Sequence, residues 1–303
     1  MPYGVKVRVL SAALLIIVMH ESQSEEKSIL KVVIHSFFVV PLVIAIFAVI
    51  IFLVIRIMTT EPNSARDYLE DVKIGGTTKR WQGAFELSKM LSNPKMIPKD
   101  DLFANELIAT FEYSSNDRDE RIRQYLAIAM GATKDERYAP TLIEAIQSSD
   151  VGVIQACAFA LGNIGSAEAI EPLTELLDEP DPQVRLHSVI ALGKIGGQAV
   201  IPYLKKMLAD IEPNVRWDAA IGLAKQKDSS ARTILLDLLD RKYLNSFPNI
   251  DEKEKVQVIL VVMSVSHFIQ NQELKSKLEF LKNEDSNLKI REAARIALEK
   301  YII

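Results

Sequence analysis

The chain has 303 residues, 36 of them basic and 40 acidic, and its formal net charge is −4. This slightly acidic balance argues against nucleic acid as a partner, because surfaces that bind nucleic acid are usually strongly basic. The single cysteine, Cys157, excludes an intramolecular disulfide and a multi-thiolate metal site. Its small and apolar neighbours predict that it is a buried hydrophobic residue.

An apolar run near the amino terminus predicts one transmembrane helix. Residues 32–55 contain no Asp, Glu, Lys or Arg. At about 1.5 Å per residue they are long enough for the roughly 30 Å hydrocarbon core of a bilayer. We place the helix at residues 29–58 and expect Pro41 to bend it slightly. A buried core helix is the alternative, but few core helices are apolar on every face over this length.

The charges that flank this helix bear on its orientation. Basic residues are slightly more frequent after it than before it, which favours a cytoplasmic location for the carboxyl-terminal part. We therefore expect a single-pass protein of the cell (inner) membrane. The basic residues concerned are Lys27 and Lys31 on the amino side, and Arg56, Arg66 and Lys73 on the carboxyl side.

Residues 1–28 form a tail that contains a second, shorter apolar run. This run follows two basic residues and resembles a signal-peptide core, but the sequence after it lacks the small-x-small cleavage pattern. A start of translation at Met19 is the alternative explanation. We leave the tail out of the fold prediction.

The central part of the chain carries one pattern three times. It reads DVGVIQACAFALGNIG from Asp150, DPQVRLHSVIALGKIG from Asp181 and, more loosely, EPNVRWDAAIGLAK from Glu212. Each copy begins 31 residues after the one before. A fixed period of this size is typical of stacked helical repeats.

Each repeat is predicted to contain two helices. The first begins near Pro140, Pro172 or Pro202, and proline suits the first helical turn. The second follows an Asp or Glu that can cap its amino terminus. Weaker copies extend the pattern in both directions, to about seven helical pairs between Asn63 and Ile303. We therefore assign residues 59–76 to a juxtamembrane helix or linker and residues 77–303 to an all-α solenoid.

The pattern Asp-x-x-Val-Arg-x-x-Ala-x-x-Ala-Leu-Gly-x-Ile-Gly resembles the HEAT repeat, particularly the short bacterial form of phycobilin-lyase-like proteins. The resemblance is specific for the fold and says little about activity. It implies a ladder of turn and inter-repeat contacts with one rung missing at Ile154. The ladder residues that it implies are Asp181, Arg185, Glu212 and Arg216.

Small residues recur at two positions of the second helices, four residues apart and therefore on one helix face. We expect this stripe to let the next helix approach closely, despite the low helix propensity of glycine. The two sets are Ala127, Ala158, Val189 and Ala220, and Gly131, Gly162, Gly193 and Ala224.

The sequence predicts no catalytic residue, no cofactor and no metal site. The chain has four histidines, none of which forms a His-Glu pair within the repeats. It also has no Gly-rich phosphate loop, no His-Glu-x-x-His and no Gly-x-Ser-x-Gly motif. We therefore expect that the protein is not an enzyme.

Positions one, two and nine after the Arg position of each second helix point away from the apolar arc. Second helices usually line the concave face of a solenoid, which serves as an extended binding surface, and aromatic residues among polar ones are typical of protein interfaces. A solvated face whose tryptophans pack against neighbouring repeats is the alternative. The candidate face consists of Trp81, Gln124, Tyr125, Gln155, Asn163, Leu186, His187, Lys194, Trp217, Asp218 and Lys225.

The period breaks after Leu239, where residues 241–255 replace a short turn. Such insertions often serve binding, and a neutral variation in length is the alternative.

These sequence features together predict a membrane-anchored HEAT-repeat scaffold or adaptor that binds a protein partner, as an accessory subunit of a membrane complex. A chromophore lyase or isomerase of the resembled type is the alternative function.

Overall fold

The structure is a computed structural model that describes residues 35–59 and 63–301. The chain divides into two units, Met1–Pro62 and Asn63–Ile303. The predicted tail (residues 1–28), the alternative start at Met19 and the beginning of the predicted transmembrane segment lie outside the described residues. Every regular element in the described ranges is helical.

The described part of the first unit is one long helix. A π-helical turn, His35–Val39, leads into α1, Val40–Thr59. Pro41, which cannot donate a backbone hydrogen bond, is the second residue of α1, so the change from π-helical to α-helical bonding coincides with the proline. Within this helix the segment Phe37–Arg56 has the length and composition to cross a membrane, and none of it is buried in the described structure.

Between residues 63 and 301 the helices form seven consecutive pairs, as the repeat predicts. A short extra helix, α13, lies inside the last-but-one pair. The pairs are α2 (Ala65–Ile74) with α3 (Thr77–Leu91), α4 (Asp101–Tyr113) with α5 (Glu120–Thr133), α6 (Ala139–Ala145) with α7 (Val151–Ile164), α8 (Ile170–Glu175) with α9 (Pro182–Ile195), α10 (Ile201–Met207) with α11 (Pro213–Lys225), α12 (Arg232–Leu238), followed by α13 (Arg241–Leu244), with α14 (Glu252–Ser266), and α15 (Gln272–Glu284) with α16 (Leu288–Leu298).

The second helices stack side by side in the order α3, α5, α7, α9 and α11. Their repeated leucines, Leu161, Leu192 and Leu223, are fully buried. Each pair alone would leave its apolar side in water, so the core exists only because neighbouring pairs cover one another. This confirms the predicted all-α solenoid. The repeated first-helix positions are fully buried as well: Leu142, Leu173, Leu204 and Leu235.

Carboxylates begin most of these second helices. The Asp150 carboxylate accepts a hydrogen bond from the backbone N–H of Val153 at 2.7 Å, and Asp181 caps α9 in the same way. Glu212 holds the equivalent position before α11, but its side chain makes no capping hydrogen bond. Its extra methylene group explains the difference, because the short side chains of Asp, Asn, Ser and Thr are the ones that reach the first amides.

Glycine is required where successive second helices touch. A Cβ atom added to Gly131 would lie 2.5 Å from the Cα atom of Ala160, and one added to Gly162 would lie 2.7 Å from the Cα atom of Ala191. At Gly193 the nearest backbone atom, the Cα of Gly222, would be 3.1 Å away. The stripe of small residues therefore brings helix backbones into direct contact, as predicted.

Candidate functional site

Most of the candidate face remains accessible in the structure. Lys194 and Lys225 are exposed, and Trp217 alone is buried. The remaining members are half-buried: Trp81, Gln124, Tyr125, Gln155, Asn163, Leu186, His187 and Asp218.

Several of these residues contact the neighbouring helix of the stack. The Arg121 guanidinium lies 4.5 Å from the centre of the Trp81 ring, which connects α3 and α5. The Gln124 amide donates a hydrogen bond of 3.3 Å to the Asp150 carboxylate at the start of α7. Farther along, Lys194 Nζ donates a hydrogen bond of 2.9 Å to Asn163 Oδ1 and so links α9 to α7. The polar and aromatic positions thus follow one another across the stack.

Trp217 corrects the predicted face, since it does not point into solvent. Only 5% of its surface is exposed. Its ring lies 5.1 Å from the Phe247 ring in an edge-on arrangement, and its Nε1 donates a hydrogen bond of 3.3 Å to the Tyr243 hydroxyl. Both partners belong to the insertion, so Trp217 holds the insertion against α11. The alternative reading, a tryptophan packed against its neighbours, is the correct one at this position.

The insertion also opens a cleft. Helices α11 and α14 contact each other more loosely than the preceding second helices do, and residues of the insertion fill only part of the gap. The remaining cleft has a volume of about 480 Å³. Its lining comes from three elements: Asn214, Trp217, Asp218 and Ile221 of α11, Asn249 and Ile250 of the insertion, and Glu254, Gln257, Val258 and Val261 of α14.

Asp218 is the unusual group in this cleft. Burial raises the pKa of its carboxyl to about 6, although Lys225 and His187 act in the opposite direction. Among the described residues no hydrogen bond and no ion pair to this carboxylate is found, whereas buried carboxylates are ordinarily paired. An acidic group that lacks a partner among the described residues therefore lines an open cleft.

The arginine ladder exists, but its acidic partners differ from the predicted ones. Arg185 donates two hydrogen bonds, of 2.8 and 3.0 Å, to the Asp210 carboxylate in the turn before the next second helix. Arg216 donates to the backbone carbonyl oxygens of Asp210 and Ile211. Asp181 and Glu212, which the resemblance placed in the ladder, pair with neither arginine. The acidic partner, Asp210, lies two residues before the amino-terminal cap position of the next second helix, Glu212. This two-residue spacing can be read from the sequence.

Ile154 leaves a rung open, as the resemblance implied, and the structure contains a second gap. The Nε atom of Arg123 is buried without a hydrogen-bond partner in the described chain. Ser148 stands where the other repeats place an acidic residue, as with Asp210 opposite Arg185. The guanidinium of Arg123 instead lies 5.1 Å from the centre of the Phe111 ring.

Metal-binding and thiol chemistry find little support in the described residues. In the ranges 35–59 and 63–301, no three or more His, Cys, Asp or Glu residues come together in an arrangement that could hold a metal ion. Cys157 is fully buried, and burial raises the pKa of its thiol to about 12. A thiol in this environment is not a nucleophile near neutral pH.

The second unit is thus an α-solenoid, a class of repeat protein in which stacked helical pairs form an extended face. The family model for HEAT repeats matches residues 109–185 and 170–244, so this part of the chain consists of HEAT repeats. The fold of such arrays is suited to binding a protein partner. No curated protein matches the chain.

Similarity to solved structures extends over most of this chain. The complex of CpcE and CpcF of phycocyanin lyase from Nostoc sp. PCC7120 contains a chain with a TM-score of 0.54 and 18% identity, and the match covers 80% of this chain and 97% of that one. An archaeal HEAT-like repeats protein from Thermococcus onnurineus NA1 matches with a TM-score of 0.43 and 16% identity, over 80% and 98% of the two chains.

Proposed function

We propose that the protein is a membrane-anchored scaffold whose candidate face holds a protein partner, and that it serves as an accessory subunit of a membrane complex. The observation that carries this proposal is the row of polar and aromatic side chains that runs across α3, α5, α7, α9 and α11. The packing of the repeats uses the small and apolar positions of these helices and leaves this row available. Extended faces of this kind are the usual binding surfaces of solenoids.

The membrane part of the proposal rests on α1 and the turn before it. The large apolar side chains from Phe37 to Ile55 are between 38% and 73% exposed. Exposure of this many apolar groups to water is unfavourable, and a bilayer would cover them. The excess of basic residues after the helix places the solenoid in the cytoplasm under this proposal.

Site-specific crosslinking in native membranes tests the scaffold. A photo-crosslinking amino acid at Gln155, on the candidate face, is compared with the same group at Tyr203, which is exposed on the first helix α10. We expect a discrete crosslinked product from position 155 and none from position 203. Equal products from both positions, or the uncrosslinked protein alone from position 155, would contradict the proposal.

Membrane attachment needs its own test. Alkaline carbonate should leave the full chain in the pellet and release a variant that lacks residues 37–56. Orientation is then read from a cysteine introduced at Ser229, which is exposed, because the buried Cys157 would give little background labelling. An impermeant maleimide should label position 229 only after the cells are opened, and labelling of intact cells would reverse the proposed orientation.

A chromophore lyase or isomerase is the second candidate function, favoured by the similarity to the phycocyanin lyase complex. That similarity concerns the fold, and one fold serves many functions. Incubation of the purified protein with phycocyanobilin, followed by absorbance spectroscopy, distinguishes the two candidates. A spectral shift at stoichiometric protein would support the lyase, and an unchanged spectrum would leave the scaffold.

A further inference from the structure

We propose that the cleft between α11 and α14 binds a lysine or arginine side chain of the partner, with an apolar residue of the same segment beside it. This inference rests on the proposed function and names the chemistry that one end of the candidate face recognises. The cleft continues the face, since Asp218 belongs to both, and it depends on the insertion, which supplies Asn249 and Ile250 of its lining.

The charge of the cleft selects a cation. Two of the described lining residues, Asp218 and Glu254, are acidic, and none is Lys, Arg or His. Asp218 is half-buried and has neither a hydrogen-bond donor nor a salt-bridge partner in the described chain. A charged donor placed against it would form the charge-assisted hydrogen bond that the free protein lacks. An anionic ligand would meet two carboxylates and is disfavoured.

The walls of the cleft select the remainder of the ligand. Ile221 from α11, Ile250 from the insertion and Val258 and Val261 from α14 form an apolar surface around the carboxylate. The methylene groups of a lysine or arginine side chain can lie along such a surface while the charged end reaches Asp218. The volume of about 480 Å³ is larger than one side chain needs, which leaves room for an apolar neighbour of the basic residue.

The charged groups around Asp218 set the pH dependence of binding. Lys225 on α11 and His187 on α9 favour its ionised form, whereas burial opposes it. Glu254 faces the same cleft from α14. A bound cation requires the ionised carboxylate, so affinity should fall as the pH is lowered through about 6.

Peptide selection with the full chain in detergent tests the inference. A display library of random dodecapeptides is selected on the wild-type protein, and the affinity of each enriched peptide is measured by fluorescence anisotropy. We expect enriched peptides to contain Lys or Arg next to an aliphatic residue. Asp218→Asn should weaken their binding about tenfold, and replacing the basic residue with Gln should do the same, with no further loss when both changes are combined.

Asp237→Asn is the matched control. Burial raises the pKa of this carboxyl too, but the residue lies on α12 and does not line the cleft. Its affinity for the selected peptides should equal that of the wild type. Thermal unfolding of both variants shows that any loss of binding is not a loss of fold.

The outcomes separate this inference from the proposed function. Enriched peptides without a basic residue, or peptides whose affinity Asp218→Asn leaves unchanged, would overturn the cleft as a basic-residue site. If such peptides lose affinity on Tyr125→Ala instead, the candidate face still binds a partner and only the cleft inference fails. If no peptide is enriched and position 155 gives no crosslinked product, both proposals fail.

Discussion

The regular stack from α5 to α11 and the junction between α11 and α14 use different residues to bring two second helices together. In the stack, glycines permit backbone contact, as where Gly131 meets Ala160 and Gly162 meets Ala191. At the junction the helices lie farther apart, and aromatic rings of the insertion fill part of the space between them. Trp217, Tyr243 and Phe247 form a cluster with ring centres 5.1 to 6.4 Å apart.

This difference accounts for the cleft at the junction. Tight packing in the stack brings the backbones of successive second helices into direct contact. Looser packing at the junction leaves a cleft and an unpaired carboxylate, Asp218, within it. The period therefore produces the extended face, and its interruption produces the one part of that face with a distinct chemistry among the described residues.

Trp217→Ala should have the largest effect, because it removes the ring that joins the insertion to α11. Loss of a buried tryptophan destabilises a protein by about 4 kcal/mol. We expect the free energy of unfolding measured by chemical denaturation to be lower by this amount. We also expect faster proteolysis within residues 241–255.

The matched control is Trp81→Ala, at the equivalent position of α3. Trp81 is half-buried and lies against Arg121, so its removal should cost about 1 kcal/mol. Equal losses for the two variants would show that Trp217 does not have the special packing role assigned to it.

Gly162→Leu disrupts the backbone contact between α7 and α9 in the regular stack. The new side chain would have to occupy the space of the Ala191 backbone, so α7 and α9 must separate, at a cost of about 3 kcal/mol. Thermal unfolding measures the loss.

Gly193→Ala is the control, because its Cβ atom would lie 3.1 Å from Gly222 and the gain in helix propensity, about 1 kcal/mol, offsets the tighter contact. A Gly193→Ala variant as unstable as Gly162→Leu would contradict this difference between the two contacts.

Arg185→Ala removes a rung between two repeats of the stack. The side chains of Arg185 and Asp210 are only 11% and 6% exposed, so the change leaves the Asp210 carboxylate buried without its charge partner. We expect a loss of about 2–3 kcal/mol in denaturant unfolding. Arg137→Ala, which breaks exposed ion pairs with Asp101 and Asp135, should cost less than about 1 kcal/mol. Similar losses for both would mean that the ladder contributes no more than a surface pair.

The sequence was sufficient to predict the structural features that recur from one repeat to the next. Its period gave the seven pairs, the buried positions such as Leu192, and the contact of small residues at Gly131 and Gly162. These features depend on residues within one repeat and on their contacts with the similar repeat beside it. The same logic failed for Glu212, because a motif treats Asp and Glu as equivalent, whereas capping depends on the length of the side chain.

The junction was beyond such reasoning. Burial of Trp217 depends on Tyr243 and Phe247, which belong to a segment without a repeat and so without a register. The cleft and the raised pKa of Asp218 follow from the same unpredictable conformation. Placement of the candidate face on successive second helices followed from the period, and its binding role stays a prediction.

Asp218→Asn should have the smallest effect on stability. It tests whether the charge of Asp218 distinguishes the junction from the regular stack. Burial raises the pKa of this carboxyl from 3.8 to about 6, so the folded protein disfavours its ionised form. The resulting loss of stability is complete above pH 6 and disappears as the pH falls well below 3.8, where the group is protonated in both the folded and the unfolded chain. At pH 8 the variant should therefore be more stable than the wild type by about 1–2 kcal/mol, a range that allows for the partial exposure of the side chain. Calorimetry at pH 8 and at pH 3 measures both limits, and the advantage should shrink toward zero at the lower pH. An equal advantage at both pH values would show that the effect comes from packing and not from the charge. A variant that gains stability and loses affinity for basic peptides would show that the chain retains an unfavourable buried charge at the junction for the sake of binding.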